Sequence, residues 1–148
     1  MLRFRGVELI KSSASKLRED NDMAITFYKC ATCGNVAVKL FDSGVPMECC
    51  GVPMDVLEPN VVEAAHEKHL PVVSVNGLDV QINVGQVDHP MTSEHFITAI
   101  AMQTESTWSV CMLKPGDAPH AQFSIAVGDH VVAAYAYCNL HGLWKTTK

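Results

Sequence analysis

Long hydrophobic runs are absent from this chain, and positive charge is scarce. None of the apolar stretches in its 148 residues approaches the roughly 20 residues that a membrane-spanning helix needs. The formal net charge is −5 and the pI is near 5.7, so bulk electrostatics gives no support to a nucleic-acid partner. A convincing helical periodicity, an internal repeat and a low-complexity segment are also missing. The sequence therefore predicts a globular, strand-rich protein with neither a membrane nor a nucleic-acid partner.

An export signal is also missing from the first 23 residues. Their only apolar stretch, at residues 7–10, is interrupted by Glu8 and is too short for a signal-peptide core. We expect residues 1–23 to be a disordered extension or a non-native start, with Met23 as the true first residue. An organelle transit peptide is an alternative, although the acidic residues Glu8, Glu19 and Asp20 count against it. The default location is then the reducing cytoplasm, where clustered cysteines indicate metal or redox chemistry.

Four of the six cysteines lie close together in the sequence. Cys30 and Cys33 form a Cys-x-x-Cys turn, and Cys49 and Cys50 are adjacent. Four thiolates in a tetrahedron suit zinc or iron. Neighbouring residues on a strand point to opposite faces, so the adjacent pair needs a local backbone distortion, which Gly51 would ease. A structural zinc knuckle stays open as an alternative, whereas a thioredoxin-like pair is disfavoured because no βαβ pattern surrounds the motif.

A second group of possible ligands is spread over the rest of the chain. Its members are expected at strand ends and connections, where loops are free to aim them at one point: His69, His89, His95, Cys138 and His141. Imidazoles suit iron, copper, nickel or zinc, and five protein ligands would leave one position of an octahedral metal open. An open, redox-capable centre indicates small-molecule chemistry. We interpret the remaining histidines and the remaining cysteine as non-ligands: His66, His120, His130 and Cys111.

The order of strand and turn signals predicts an all-β fold in two parts. Residues 24–57 hold too little apolar mass for a core of their own, and a metal would stabilise them. After a linker at residues 57–60, residues 61–148 alternate with a period of two, and Asn76-Gly77 marks a hairpin. The predicted strands are 25–28, 36–41, 78–84, 96–102, 107–113, 122–127 and 131–137. Repeated short strands of this kind are typical of an antiparallel sandwich.

Taken together, these motifs resemble the desulfoferrodoxins, the two-iron form of superoxide reductase. The resemblance runs from about Tyr28 to Lys145. It is carried by six segments in order: Tyr28-Lys29-Cys30 to Cys33-Gly34-Asn35, Cys49-Cys50-Gly51 to Pro53-Met54, Glu67-Lys68-His69, His89-Pro90-Met91, Leu113-Lys114-Pro115-Gly116-Asp117-Ala118-Pro119 and Tyr137-Cys138-Asn139-Leu140-His141-Gly142. The N-terminal extension, Leu70 in place of a common valine, and Cys111 depart from the family, but none of these is a proposed ligand.

The resemblance implies two iron centres. One is an Fe(Cys)4 centre in a desulforedoxin-like domain, held by Cys30, Cys33, Cys49 and Cys50. The other is an Fe(His)4(Cys) centre in an immunoglobulin-like, neelaredoxin-like β-sandwich. In it the axial ligand would be Cys138 and the equatorial ligands His69, His89, His95 and His141, with His141 binding through Nδ1 and the others through Nε2.

The implied activity is the one-electron reduction of superoxide to hydrogen peroxide. Lys68 would attract the anion, and Glu67 would occupy the sixth position of the ferric state and help peroxide to leave. A rubredoxin-like protein would return the electron, and a homodimer is expected. Three alternatives stay open: an electron carrier, a zinc-stabilised β-sandwich binding module, and true dismutation, which would release oxygen.

Overall fold

The computed structural model describes residues 25–148, and within them strands dominate. The predicted extension at residues 1–23 lies outside the described residues. The strands are β1 (Phe27–Lys29), β2 (Val36–Val38), β3 (Glu48–Cys49), β4 (Val52–Pro53), β5 (Asp55–Leu57), β6 (Pro71–Asn76), β7 (Asp79–Val84), β8 (Ile97–Thr104), β9 (Trp108–Met112), β10 (His120–Ser124), β11 (Val131–Cys138) and β12 (Gly142–Thr147). One short helix, α1 (His66–His69), precedes β6. In this part of the chain no helix is long and apolar enough to cross a membrane.

Two antiparallel sheets form the larger part of the molecule. One has the strand order β12-β11-β8-β9 and the other β10-β7-β6. Their facing sides are apolar because alternate residues point inward, and the buried cluster between them includes Ile82, Ile100, Met102 and Trp144. The prediction of an all-β fold with an antiparallel sandwich is therefore confirmed.

The hairpin between β6 and β7 is present, but its turn lies one residue later than predicted. Asn76 still pairs with Asp79, so the two turn residues are Gly77 and Leu78. Gly77 has a φ of +62°, which glycine accepts readily at the first central position of a two-residue hairpin turn. Leu78 is consequently part of the turn and is exposed.

Other strand boundaries differ from the prediction. β2 ends at Val38 and β10 runs from His120 to Ser124, so the predicted strands 36–41 and 122–127 are wrong at their ends. The prediction that 131–137 is the last strand is also wrong, because β12 follows it. Alternation is lost in β12 since both of its faces are buried. Leu143 belongs to a buried cluster that includes Phe27 and Leu57 of the cysteine-rich part, and Trp144 packs into the core between the two large sheets. Helix α1 was not predicted because its four residues are too few to show a helical periodicity in the sequence.

The cysteine-rich part of the chain forms two small sheets, β2-β1-β5 and β3-β4. The first of these packs on the outer face of the four-stranded sheet. The ring of Phe27 lies 5.3 Å from that of Tyr135 and 6.2 Å from that of Trp108. The linker is fixed as well, since Asn60 Nδ2 donates to Lys145 O (3.0 Å) and Lys145 N donates to Asn60 Oδ1 (2.8 Å). Division of the chain into domains at 24–57 and 61–148 stays a prediction.

Candidate metal centres

Two tight turns bring the four clustered cysteines together. The first follows β1, where Gly34 N donates to Cys30 O at 2.9 Å and Cys33 N points at Cys30 Sγ at 3.5 Å. The second is the turn of the β3-β4 hairpin. The Sγ atoms of Cys30, Cys33, Cys49 and Cys50 all lie within 4.8 Å of one another.

The adjacent pair shows the backbone distortion that the sequence predicted. Cys50 and Gly51 are the two central residues of the hairpin turn, with φ angles of +55° and +75°. Positive φ at both positions is the requirement of a type I′ turn, and it is unfavourable for a residue with a Cβ. The turn lets both Cys49 and Cys50 direct their sulfurs to the same side, which a regular strand does not allow.

The ionisation of these thiols indicates that a cation belongs among them. The backbone amide of Cys33 lowers the pKa of Cys30 to about 6, whereas the neighbouring thiols raise the pKa of Cys50 to about 12. Four thiolates at this spacing repel one another unless a metal neutralises them. The Cys33–Cys49 and Cys49–Cys50 sulfur distances are 3.5 and 3.9 Å, and two sulfurs bonded to one tetrahedral metal at about 2.3 Å lie about 3.8 Å apart. The group therefore fits a metal.

The second group converges at one end of the sandwich. Its ligand atoms also lie within 4.8 Å of one another, although His69 and His141 are 72 positions apart in the chain. His69 is the last residue of α1, Cys138 is the last residue of β11, and His141 follows it in the connection to β12. His89 and His95 both lie within the connection from β7 to β8. Sheet pairing of β11 with both β8 and β12 places three of these segments side by side.

Carbonyl acceptors fix the protonation of two of the imidazoles. His69 Nδ1 donates to Ala65 O at 2.8 Å, and His89 Nδ1 donates to Pro90 O at 2.6 Å. Because a carbonyl oxygen only accepts, both Nδ1 atoms carry the proton and both Nε2 atoms present lone pairs. These Nε2 atoms face each other at 3.1 Å, close to the roughly 3.0 Å expected for two nitrogens bonded at right angles to one metal at about 2.1 Å. Two lone pairs so close are unfavourable without a cation between them.

Burial keeps these imidazoles in the form that binds metal. It lowers the pKa of His89 to about 4, and it is also the largest cause of the lowered pKa values of His69 and His95. The neutral ring is the ligand form of histidine. His95 Nε2 is buried with no hydrogen-bond partner. A metal ion bound to this nitrogen would supply the missing interaction. Burial raises the pKa of the Cys138 thiol, while the backbone amides of Leu140 and His141 act in the opposite direction.

The site is closed on its sulfur side and open on the other. Cys138 has no exposed surface, whereas His95 and His141 are partly exposed. Glu67 and Lys68 lie on the exposed part of α1. The charge of Lys68 contributes to the lowered pKa of His95, so the ammonium group is close enough to act on the site.

Gly85 holds the backbone of α1 in place beside the site. Glu67 O accepts from Gln86 N at 2.7 Å and from Val87 N at 3.2 Å. A Cβ on Gly85 would come within 2.8 Å of Lys68 O and would clash with Val87 O. Only glycine therefore permits this approach, which brings Glu67 and Lys68 next to the histidines.

Sequence reasoning did not single out Trp144 or Asn139. The indole of Trp144 stacks on the imidazole of His69, with the ring centres 4.7 Å apart and the planes 25° apart. Asn139 hydrogen-bonds across to the segment that carries His95. Their only signal in the sequence is nearness to Cys138 and His141. The histidines interpreted as non-ligands, His66, His120 and His130, belong to neither group, and neither does Cys111, which is partly buried against the core.

Comparison with known proteins agrees with this arrangement. The family model described as desulfoferrodoxin matches residues 61–147. This chain belongs to the desulfoferrodoxin family. It is 42% identical over 118 residues to the desulfoferrodoxin of Nitratidesulfovibrio vulgaris, covering 80% of this chain and 92% of that relative. It is 40% identical to the desulfoferrodoxin homolog of Archaeoglobus fulgidus, covering 80% of this chain and 94% of the relative.

A solved structure has a similar fold over most of the length. The superoxide reductase from Treponema pallidum matches with a TM-score of 0.71 and 32% identity, covering 84% of this chain and 99% of that one. The four-cysteine group and the group of four histidines and one cysteine match the two iron centres of desulfoferrodoxins.

Proposed function

We propose that this protein is a superoxide reductase, which combines superoxide with one electron and two protons to form hydrogen peroxide. The observation that carries the proposal is the convergence of five ligand atoms within 4.8 Å in a site that is closed on its sulfur side and open to solvent on the other. An open position beside a redox-active metal suits reduction of a small molecule. Membership of the desulfoferrodoxin family and the similarity to a superoxide reductase of known structure support the same activity.

The ligands of the reactive iron are proposed to be His69, His89, His95, Cys138 and His141. Held by these residues, an iron would supply the one electron that superoxide needs, and an external donor would supply the electron that reduces the iron again. The protein holds the imidazoles neutral by burial and keeps the Nδ1 protons of His69 and His89 on carbonyls. Cys138 would provide a buried thiolate to this iron, and thiolate donation would increase the electron density available for the reduction.

Lys68 and Glu67 are proposed as the catalytic residues around the open position. The whole protein is acidic, with a net charge of −5, and would repel an anion. A local cation on the exposed part of α1 can outweigh this repulsion at short range. Lys68 therefore attracts superoxide toward the histidines, and the carboxylate of Glu67, one residue earlier, helps peroxide to leave.

The four cysteines near the N-terminus are proposed to hold the second iron as Fe(Cys)4. This centre relays electrons or stabilises the small sheets around it. A rubredoxin-like carrier is the proposed external donor, and the cytoplasm is the proposed location. An Fe(Cys)4 centre is suited to one-electron exchange because its thiolate ligands stay in place in both oxidation states.

A homodimer is proposed through the apolar face beside the small sheets. Leu40, Phe41 and Met112 are 77%, 92% and 73% exposed, and Met112 lines an apolar groove of about 480 Å³ together with Phe27 and Trp108. Exposed apolar surface of this extent is typical of a protein interface. Light scattering on the purified protein tests the dimer, and Phe41→Asp is expected to shift it toward the monomer.

Pulse radiolysis of the reduced protein, with iron measured in the same sample, tests the function. We expect two irons per chain, visible absorption, and one peroxide formed per superoxide consumed without release of oxygen. A colourless zinc protein would support the binding module instead. Two irons with no reaction with superoxide would support an electron carrier, and oxygen release would support dismutation.

A further inference from the structure

The four imidazoles of the histidine centre are not held in the same way. The rings of His69 and His89 are each fixed by a hydrogen bond from Nδ1 to a carbonyl oxygen. Among the described residues, His95 has no such acceptor for its ring, and its Nε2 is buried without a partner. A ring that is not fixed through its own nitrogen depends on the backbone that carries it. The position of His95 must therefore be set by the contacts of its segment.

Asn139 forms hydrogen bonds with the residues on both sides of His95. Its Nδ2 donates to Glu94 O at 2.8 Å, and its Oδ1 accepts from Phe96 N at 2.9 Å. Its own backbone N donates to Phe96 O at 3.1 Å. These three hydrogen bonds enclose His95 between two fixed residues. Within the segment, His95 N donates to the hydroxyl oxygen of Thr92 at 3.1 Å, which keeps the turn closed.

The same asparagine belongs to the segment that carries two other ligands. It follows Cys138 directly and precedes His141 by two residues. We propose that Asn139 is a positioning residue of the histidine centre: its side chain fixes the imidazole of His95 relative to Cys138 and His141. This inference rests on the proposed metal centre but not on its reaction with superoxide.

Asn139 does not act on the thiolate itself. The distance from Cys138 Sγ to Asn139 Oδ1 is 4.0 Å, too long for a useful hydrogen bond. The backbone amides that approach the sulfur belong to Leu140 and His141. A change at Asn139 is thus expected to alter the imidazole side of the centre first.

The chain offers a matched control in Asn60. This residue makes three hydrogen bonds of the same kinds with β12. Its Nδ2 donates to Lys145 O (3.0 Å), its Oδ1 accepts from Lys145 N (2.8 Å), and its backbone N donates to Leu143 O (3.0 Å). None of these partners belongs to either ligand group. Loss of the Asn60 side chain removes two hydrogen bonds to Lys145, four residues after His141, and leaves the backbone hydrogen bond to Leu143 O in place.

The experiment compares Asn139→Ala, Asn139→Asp and Asn60→Ala in the full-length iron protein. Readouts are the rhombicity of the ferric electron paramagnetic resonance signal, the energy of the thiolate-to-iron absorption band and the affinity for cobalt(II). We expect Asn139→Ala to change the rhombicity and lower the metal affinity about 10- to 100-fold, as loss of a group that orients a ligand does. Asn60→Ala should leave both unchanged.

Asn139→Asp keeps the shape and the acceptor for Phe96 N but places a carboxylate oxygen against Glu94 O. We expect it to change the rhombicity in the same direction as Asn139→Ala, and it serves as the test if Asn139→Ala does not fold. Unchanged spectra in both Asn139 variants, or an equal change in Asn60→Ala, would overturn the inference. Because these readouts need no superoxide, failure of the proposed reaction in the unaltered protein would be seen separately.

Discussion

The two ligand groups of this protein are built in different ways. The four cysteines lie within 21 consecutive positions, from Cys30 to Cys50, and two tight turns bring them together on a surface where Cys33 and Cys50 are exposed. The other group spans 73 positions, from His69 to His141. It forms only when α1, the connection from β7 to β8 and the connection from β11 to β12 meet at one end of the sandwich.

This difference gives the two groups different roles: the four-cysteine group contributes to stability, and the histidine group provides the reactive centre. The small sheets around the four cysteines have few buried apolar residues, so a metal stabilises them. The sandwich has its own core of buried residues such as Ile100, Met102 and Trp144, so its histidine centre does not have to hold the fold together. Because the histidine centre is not needed for stability, the side opposite Cys138 can stay open to a small molecule.

Replacement of the buried sulfur should have the largest effect on catalysis. We expect Cys138→Ser to lower the rate of superoxide reduction by about 100-fold or more, because one strong electrostatic contribution to an enzymic transition state has this size. The thiolate absorption band should disappear while the sandwich remains folded. Stopped-flow absorption and circular dichroism measure the two effects. Cys111→Ser is the control, and a normal rate in Cys138→Ser would contradict the proposed role.

Acidification should act on the histidine centre before the carboxylates of the protein are protonated. Burial depresses the pKa of His89 to about 4 and also lowers those of His69 and His95, whereas an unfolded histidine has a pKa of about 6.5. Between these values the unfolded chain binds more protons than the folded one. The free energy of unfolding of the metal-free protein should therefore fall as the pH is lowered from about 6.5 to 4.

Urea unfolding of the metal-free protein at a series of pH values, followed by tryptophan fluorescence, measures this fall. The variant His89→Gln should show a smaller decrease over the same range. His130→Gln, at an exposed histidine outside both groups, should behave like the unaltered protein. A free energy of unfolding that stays constant from pH 7 to 4 would be incompatible with the buried neutral rings.

Removal of the local cation should have a moderate effect. We expect Lys68→Ala to slow the capture of superoxide about tenfold at low ionic strength, with a weaker salt dependence, because the field of a nearby charge steers a small anion. Pulse radiolysis at two salt concentrations measures it, with iron content checked in parallel. Lys148→Ala, which removes another exposed lysine, is the control. An unchanged rate of superoxide capture at low ionic strength would contradict the proposed steering role of Lys68.

Loss of the four-cysteine metal should have the smallest effect on the reaction. We expect Cys33→Ser to lose that iron and to increase amide exchange in β1 and β2. The rate with chemically reduced protein should change less than about threefold, since separate sites act nearly independently. Pulse radiolysis and hydrogen exchange measure the two effects. A loss as large as that of Cys138→Ser would instead make the four-cysteine centre part of the catalytic electron path.

Much of the fold was predictable because its signals are local. The alternation of Val80, Ile82 and Val84 with polar residues predicted β7, and the adjacent cysteines followed by Gly51 predicted the distorted turn that the φ angle of Cys50 confirms. β12 was missed because both of its faces are buried, so its apolar residues do not alternate with polar ones. The shift of the β6-β7 turn to Gly77 and Leu78 was missed because two registers fit the same alternation.

The sequence by itself determined which atoms are available to a metal: four thiols on two turns, and a second set of four imidazoles and one thiol at strand ends. Residue type and spacing decide this, since they limit the ligand chemistry and the turns that can form. Only the tertiary structure decided that His69 and His141 meet, that Cys138 lies on the closed side, and that Asn139 encloses His95. These relations depend on sheet pairing between distant strands, and no local pattern encodes the distance between two side chains 72 positions apart.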